Sequence, residues 1–331
     1  MKESKNILFI STAFFEYEKE IKATLIRLGY NVHFFDERIS NTKLIKIIYR
    51  ISPLIGAGLA AVHFYRILRI VRLISRLDYL FLIKGEATPK WFIQRIKRIF
   101  PNIKTIFYTW DSFNNNPHAL NLIQFFDKKF SFDLTDCNKY ELVHRPLFSS
   151  LKSNPPYFYN SNLAVSVLTI HSDRILVLER IITKLANYSI PTEYYAYSRI
   201  KQMDLIKKSL ISNKTFKVQS KPLNKIELIN LIEKAKFIID INHPQQTGLT
   251  MRTFEALVNS KKLITTNQSI KKYKFYNPTN ICVVDRHNIE IPEEFIHSEF
   301  QHYEESFLEK MTINGWLKEI FDDDRTYTWV R

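Results

Sequence analysis

The sequence predicts an α/β protein built as two doubly wound, Rossmann-like domains facing each other across a cleft. Three observations predict it. Short apolar runs alternate with helical patterns in both halves, which is how buried parallel strands and their crossover helices read. One stretch, "SSLKSNPPYFYNSN" at 149–162, breaks that alternation with Ser, Asn and two prolines and reads as a linker. The 331 residues give room for two domains, each able to bury its own core.

Taken in order, "NILFIS" is the first strand, "YEKEIKATLIRLGY" a helix ending at Gly29, and "NVHFFD" the second strand. A basic and apolar segment leads to "DYLFLIKG" as strand three. "TPKWFIQRIKRIFP" is a helix with Pro89 near its start and Pro101 as its stop. "KTIFYTWD" and "FDKKFSFD", at 104–111 and 126–133, are strands four and five. After the linker, "LAVSVLTI" is a strand, and "SDRILVLERIITKLANY" a helix with Ser172 as N-cap. "TEYYAYS", "TFKVQS", "KFIIDI", "KKLITT" and "NICVVD" are further strands. "MDLIKKSLI", "NKIELINLIEKA" and "GLTMRTFEALVN" are the helices between them. The chain closes in helices such as "EESFLEKMTINGWLKEIF".

Composition narrows the function. Hydrophobic residues are 45% and charged residues 24%, as in a folded globular chain. The two cysteines, Cys137 and Cys282, form neither a disulfide framework nor a metal spacing, so a reducing, cytoplasmic compartment is expected. The apolar run of "MKESKNILFIST" is too short for a signal peptide. The net charge is +15, and 13 Lys and Arg against two acids between Lys43 and Lys104 carry most of it. Such a patch suits an anionic membrane surface or glycan. No nucleic-acid reading motif is present, and no nucleic-acid partner is expected.

No Gly-rich turn follows strand one, no P-loop occurs, and no HExxH, Cys/His cluster or Gly-x-Ser-x-Gly elbow appears. No cofactor and no metal are implied. The informative stretch is "DINHPQQTGLTMRTFEAL". It spends one of only six glycines, Gly248, where a helix is expected to begin near Thr247. The first-turn N–H groups of such a helix are donors for an anion. Arg252 and Glu255 share a face with Thr247 and Gly248, whereas Met251, Phe254 and Leu257 point inward. One reading is a phosphate site with a carboxylate for two hydroxyls, as a nucleotide sugar requires. The other is an N-cap at Thr247 and an Arg–Glu surface pair. "TIHSDR", at 169–174, carries a similar choice. Arg174, with His171 and Ser172, either faces a diphosphate or simply starts a capped helix. Asn242, Arg199 and Lys201 are weaker candidates.

The unit from about Asn224 to Asn267, ending in Glu-Ala-Leu before a strand, resembles the donor-binding half of GT-B glycosyltransferases. Stretches such as "FFDERISN", "IKGE", "YTWDS", "FDKKFSFDLTDC" and "IHSDR" resemble bacterial lipopolysaccharide and capsule biosynthesis proteins of the CgeB-like kind. The resemblance implies a nucleotide-diphosphate sugar as donor, with residues 163–331 as the donor domain. Glu255 would contact the ribose, and His243, Gln246, Thr247 and Gly248 would form the sugar and phosphate loop. Arg174 would offset leaving-group charge, with His171, Ser172, Asn242 and Arg252 around it. Residues 1–150 would bind a glycan or glycolipid acceptor, and the C-terminal helix would pack back on that domain. Two positions depart from the pattern. Thr247 stands where many retaining members carry an acid, and Ser260 stands where the family has Gly after the helix.

In the first half, acids follow the strands: Glu16, Glu18, Asp36, Glu37, Glu86 and Asp111. An inverting transfer needs one carboxylate as general base. Glu86 and Asp111 are the catalytic candidates; Glu18, Asp36 and Lys84 are acceptor-binding candidates. Each alone also reads as a cap or ion pair. The basic amphipathic segment 43–77 sets Arg66, Arg69, Arg72 and Arg76 against Ile67, Ile70, Val71, Ile74 and Leu77. It suits either an anionic bilayer or packing on the sheet, with the basic face exposed in both cases. The expected activity is transfer of a sugar to a surface-polysaccharide or lipid-linked saccharide acceptor, on the inner face of the cell membrane. A catalytically degenerate glycan- or partner-binding protein and a sugar-nucleotide epimerase are the alternatives.

Overall fold

A computed structural model describes residues 4–39, 53–151, 162–170, 173–197, 218–219, 221, 223–244, 246–322 and 327–331. The chain forms two compact units: Met1–Pro146 with Leu317–Thr326, and Leu147–Trp316 with Tyr327–Arg331. Each is a parallel-sheet α/β domain.

The first unit holds β1 (Asn6–Ser11), β2 (Asn31–Asp36), β3 (Tyr79–Ile83), β4 (Lys104–Thr109), β5 (Lys128–Ser131) and β6 (Val143–His144). They pair in parallel in the order β2-β1-β3-β4-β5-β6. The winding reverses between β1 and β3, which opens a crevice at the carboxyl ends of those strands. Helices α1 (Tyr17–Arg27), α2 (Pro53–Val71), α3 (Lys90–Ile99), α4 (Pro117–Leu120) and α5 (Leu134–Tyr140) connect them. Strand five is shorter than expected because its flanking acids have other work. Asp127 accepts the Thr105 N–H and hydroxyl, and Asp133 caps α5 by accepting from Thr135 and Asp136. The core packs Leu8, Leu80, Leu82 and Phe107 against Phe64, Ile67, Leu68 and Val71 of α2 and Phe92, Ile93 and Ile96 of α3.

That packing settles the inner side of α2 but moves one residue. Ile70, expected on the apolar side, is exposed beside Val62, Tyr65 and Leu73, and Leu73 keeps 86% of its surface. Arg66, Arg69, Arg72 and Arg76 are exposed with them. The outer face is therefore mixed basic and apolar rather than basic alone. Residues 43–52 of the basic segment lie outside the described residues. Among the described residues, no helix is long and apolar enough to cross a membrane.

The second unit holds β7 (Ala164–Thr169), β8 (Thr192–Tyr197), β9 (Val218–Gln219), β10 (Phe237–Asp240), β11 (Lys262–Thr265) and β12 (Ile281–Val283). Their order is β12-β11-β10-β7-β8-β9, all parallel, with the reversal between β7 and β10. Helices α6 (Arg174–Ala186), α7 (Lys225–Lys234), α8 (Met251–Val258), α9 (Glu293–His297), α10 (Glu305–Met311) and α11 (Ile313–Phe321) follow in turn. A capping box between Asn224 and Glu227 starts α7. The helix expected at 203–211 lies outside the described residues.

The last residues of α11 belong to the first unit. There Glu319 pairs with the fully buried guanidinium of Arg145 at 2.7 Å. The final residues return to the second unit. Val330 bridges Tyr273 antiparallel, the Lys274 N–H donates to the Trp329 carbonyl, and buried Trp329 meets Tyr327 edge to face and lies tilted against Phe307.

Candidate active site

In the second unit, the reversal between β7 and β10 places Asp240, Thr169 and the chain after each at one crevice. β10 is apolar except for its last residue, Asp240, whose side chain is buried. Its carboxylate accepts the Thr250 hydroxyl at 2.8 Å and the Thr253 hydroxyl at 3.4 Å. Burial pushes the Asp240 carboxyl up, against the pull of Thr250, Arg174 and Arg252. Burial likewise pushes Arg174 down, and the charge of Asp240 offsets this most, followed by that of Asp173. The Arg174 head donates to the Thr169 carbonyl at 3.4 Å, and its Nε is buried without a hydrogen-bond partner.

α8 begins later than the sequence suggests. Its N-cap is Thr250, whose hydroxyl accepts the Arg252 N–H at 3.1 Å while donating to Asp240. Thr247 and Gly248 are loop residues ahead of the helix, not its cap and first turn. Asn242 and Asn267 hold this loop. The Asn242 amide donates to the carbonyls of His243 and Gln246, and Asn267 donates to those of Thr247 and Gly248. Asn242 thus shapes the loop from a buried position, with its own oxygen accepting from Thr266 at 2.7 Å.

The Arg252–Glu255 pair is present but is not a surface pair. Glu255 has 0% exposure and receives Arg252 Nη1; Arg252 Nε is buried without a partner. A carboxylate so enclosed serves Arg252 rather than solvent. Beyond the helix, Ser260 occupies a left-handed conformation at φ 53°. The Lys261 and Ser260 N–H groups donate to the Ala256 and Leu257 carbonyls. This is the double closure that usually takes Gly.

Two members of the site were missed by sequence reasoning. Asp240 was read only as a strand end, and Arg286 not at all. Arg286 lies after β12, with Nη1 on both Asp173 oxygens at 3.0 Å and Nη2 on the Asn242 carbonyl and side-chain oxygen. A lone carboxylate closing an apolar strand was the available signal for Asp240. Arg286 left no local signal, because its partners are over 40 residues away in sequence. α6 begins at Arg174 with Asp173 in the cap position and no side-chain cap bond. His171, Ser172, Arg199 and Lys201 lie outside the described residues.

In the first unit the structure gathers Lys84, Glu86 and Asp111. Lys84 Nζ lies 2.7 Å from Glu86 and 3.7 Å from Asp111, and Arg38 adds a second cation 2.6 Å from Glu86. Burial pushes the Glu86 carboxyl up, but Lys84 and Arg38 more than offset it and hold it below its usual range. Asp111 is partly exposed and accepts the Asn115 amide at 3.1 Å. Lys84 and Gly85 both have positive φ, 79° and 66°. A Cβ on Gly85 would stand 3.1 Å from Phe107. The strained turn aims Lys84 between the two carboxylates. Glu18 serves the loop after β1, and Asp36 meets the cluster through the backbone of Arg38. Buried Glu18 accepts the Phe14 N–H at 3.0 Å, and Asp36 accepts the Arg38 N–H at 2.8 Å. Glu37 is buried and binds the Ala87 and Thr88 N–H groups at 2.7 and 2.9 Å, so it fixes the turn that carries Glu86.

No protein-family model and no curated protein matches the sequence. Solved structures do match the fold. The lipopolysaccharide outer core galactosyltransferase WaaB in apo form aligns at TM-score 0.51 and 12% identity, over 96% of each chain. An α-glucosyltransferase in complex with UDP and DNA aligns at 0.55 and 12%, over 96% of each chain. A protein provisionally described as a UDP-N-acetylglucosamine 2-epimerase, from Listeria monocytogenes, aligns at 0.55 and 8%, over 96% of this chain and 95% of that one. The chain has the GT-B fold.

Proposed function

We propose that this GT-B chain is a glycosyltransferase moving a sugar from a nucleotide-diphosphate donor to a surface-polysaccharide or lipid-linked saccharide. The observation that carries the proposal is a group of three arginines at the β7/β10 reversal: Arg174 and Arg252 beside Asp240, and Arg286 beside Arg174. Two of them keep a buried Nε–H without a partner. Buried donors in that state are costly unless a ligand completes them, and a diphosphate is the ligand they fit. In this proposal the arginines supply the positive charge that a leaving diphosphate needs. Glu255 holds Arg252, and Asn242 and Asn267 hold the His243–Gly248 loop that takes the donor sugar. The first unit binds the acceptor. Asp111 takes the general-base role, because Glu86 is held ionised by two cations and is a poor proton acceptor.

We also propose contact with an anionic membrane on its inner face, through the mixed Arg and apolar outer side of α2. Sedimentation with phosphatidylglycerol vesicles, compared with phosphatidylcholine, tests this. Loss of binding in Arg69→Glu with Leu73→Ser is expected, and equal binding to both vesicle types refutes it.

The test of the activity is a thermal-shift screen of nucleoside diphosphates followed by turnover of the matching nucleotide sugar. Arg174→Gln and Arg286→Gln are expected to lose both. Unchanged affinity in both variants refutes the site. An epimerase reading draws on the third structural match, which shares the fold equally well. Conversion of the donor without any acceptor would favour it. Tight donor binding with no turnover on any acceptor would favour the degenerate binding protein.

A further inference from the structure

The loop after β1 carries an exposed aromatic pair. Phe14 and Phe15 keep 40% and 44% of their surface, with ring centroids 4.5 Å apart, edge to face. Phe14 also lies 6.3 Å from Trp110 at the end of β4. The pair is held outward at a cost. Phe15 and Glu16 are consecutive non-glycine residues at positive φ, 50° and 63°. Such a conformation strains an L-residue and persists only where its surroundings enforce it. Buried Glu18 does so by accepting the Phe14 N–H, and the Tyr17 N–H closes the turn on the Phe14 carbonyl. No core packing is gained in return, since both rings stay at the surface.

The position of the pair gives it a purpose. β1, β3 and β4 are neighbours in the sheet, so the Phe14 loop, the Lys84 turn and Trp110–Asp111 emerge side by side from its carboxyl end. Asp111 follows Trp110 directly and offers a partly exposed carboxylate, with the Asn115 amide beside it. The charges here cancel among themselves: Lys84 and Arg38 are engaged by Glu86 and Asp111.

We propose that Phe14, Phe15 and Trp110 form a stacking platform for a neutral saccharide, with Asp111 and Asn115 taking its hydroxyls. A pyranose has an apolar C–H face that suits aromatic rings and a hydroxyl rim that suits carboxylate and amide. A uronic or phosphorylated sugar is disfavoured, because the nearby cations are already spent. This deepens the proposed transferase activity by naming its acceptor class, and it rests on that activity for the word acceptor alone.

The test is binding of the labelled full chain to an array of neutral and anionic oligosaccharides, with and without saturating UDP. Neutral glycans are expected to bind. Phe14→Ala and Trp110→Ala should each lose about tenfold in affinity, and Phe14→Tyr should retain it, because the ring is what stacks. Binding confined to anionic glycans, no glycan binding, or unaltered binding in Phe14→Ala and Trp110→Ala overturns the proposal. Vesicle binding that depends on Phe14 and Phe15, without glycan binding, also overturns it in favour of a lipid contact. UDP-induced thermal stabilisation is measured in the same variants. It should be unchanged, and its absence from the parent chain would defeat the donor site while leaving the platform to stand or fall on the array.

Discussion

Replacing Arg252 by Ala should destabilise the second unit sharply, and the reason is Glu255. That carboxylate has 0% exposure and receives Arg252 Nη1. Removing one partner of a buried pair leaves an uncompensated charge and costs about 3–5 kcal/mol. For a domain of about 150–250 residues each kcal/mol shifts the midpoint by roughly 2–4 °C. The expected fall in melting temperature is therefore on the order of 10 °C. Replacing both residues with apolar ones, Arg252→Met with Glu255→Leu, should recover most of the loss, since well-packed apolar pairs substitute for buried ion pairs at little cost. Calorimetry with and without the nucleoside diphosphate that stabilises the parent in the thermal-shift screen separates the two roles. The single variant should melt low, and the double variant should melt near the parent yet gain nothing from whichever nucleoside diphosphate stabilises the parent. A single variant within roughly 3 °C of the parent would refute the buried-pair argument. A double variant still stabilised by that nucleoside diphosphate would make the pair purely structural.

Other consequences are smaller and equally direct. Ser260→Gly should stabilise by about 0.5–1 kcal/mol, because Gly relieves the left-handed strain at φ 53° and loses only part of that gain to chain entropy; urea denaturation reads it. Gly315→Ala should lower the urea midpoint by about 1–3 kcal/mol equivalent, since its Cβ would stand 2.1 Å from the backbone oxygen of Glu309. Buried Lys261 is pushed down to about 8 by burial, so its charged form opposes folding below that pH. As pH rises from about 8 toward the ordinary lysine value, the parent should gain up to about 3 kcal/mol over Lys261→Met. Glu86, held below its usual range, stabilises above the ordinary carboxylate pKa and loses that contribution as pH falls through its lowered value. Glu86→Gln should flatten this acid limb in a pH series of melts.

The strand–helix alternation was legible because parallel strands buried on both faces need unbroken apolar runs such as "YLFLI" and "FIID". The loop at 242–250 was legible as a loop because a polar stretch with one of six glycines falls between two such runs. What escaped was set by tertiary partners. The start of α8 moved to Met251 because Thr250 reaches Asp240, a contact ten residues apart that no local cap rule foresees. Arg286 reached the site through Asp173 and Asn242, both distant in the chain. The outward turn of Ile70 followed from how α2 meets α3 and the sheet. Phe14 and Phe15 looked like ordinary apolar residues until the backbone at Phe15 and Glu16 showed them held outside.

The return of the chain at Leu317 and again at Tyr327 means that neither half can be obtained by a single cut. A fragment ending at Pro146 would keep Arg145 in the interior but forfeit Glu319, its counter-charge. One starting at Leu147 would carry Leu317, Ile320 and Phe321 without the unit in which they are buried. The start of the expected linker is not one: Ser149 bridges Thr312 inside the second unit, and residues 152–161 lie outside the described residues. A nick between Leu151 and Asn162 would leave Glu319 of the second piece paired with Arg145 of the first, so the pieces should co-purify without a covalent link. Separate expression of the two units would instead need the 317–326 segment grafted onto the first and a short bridge from Trp316 to Tyr327 in the second.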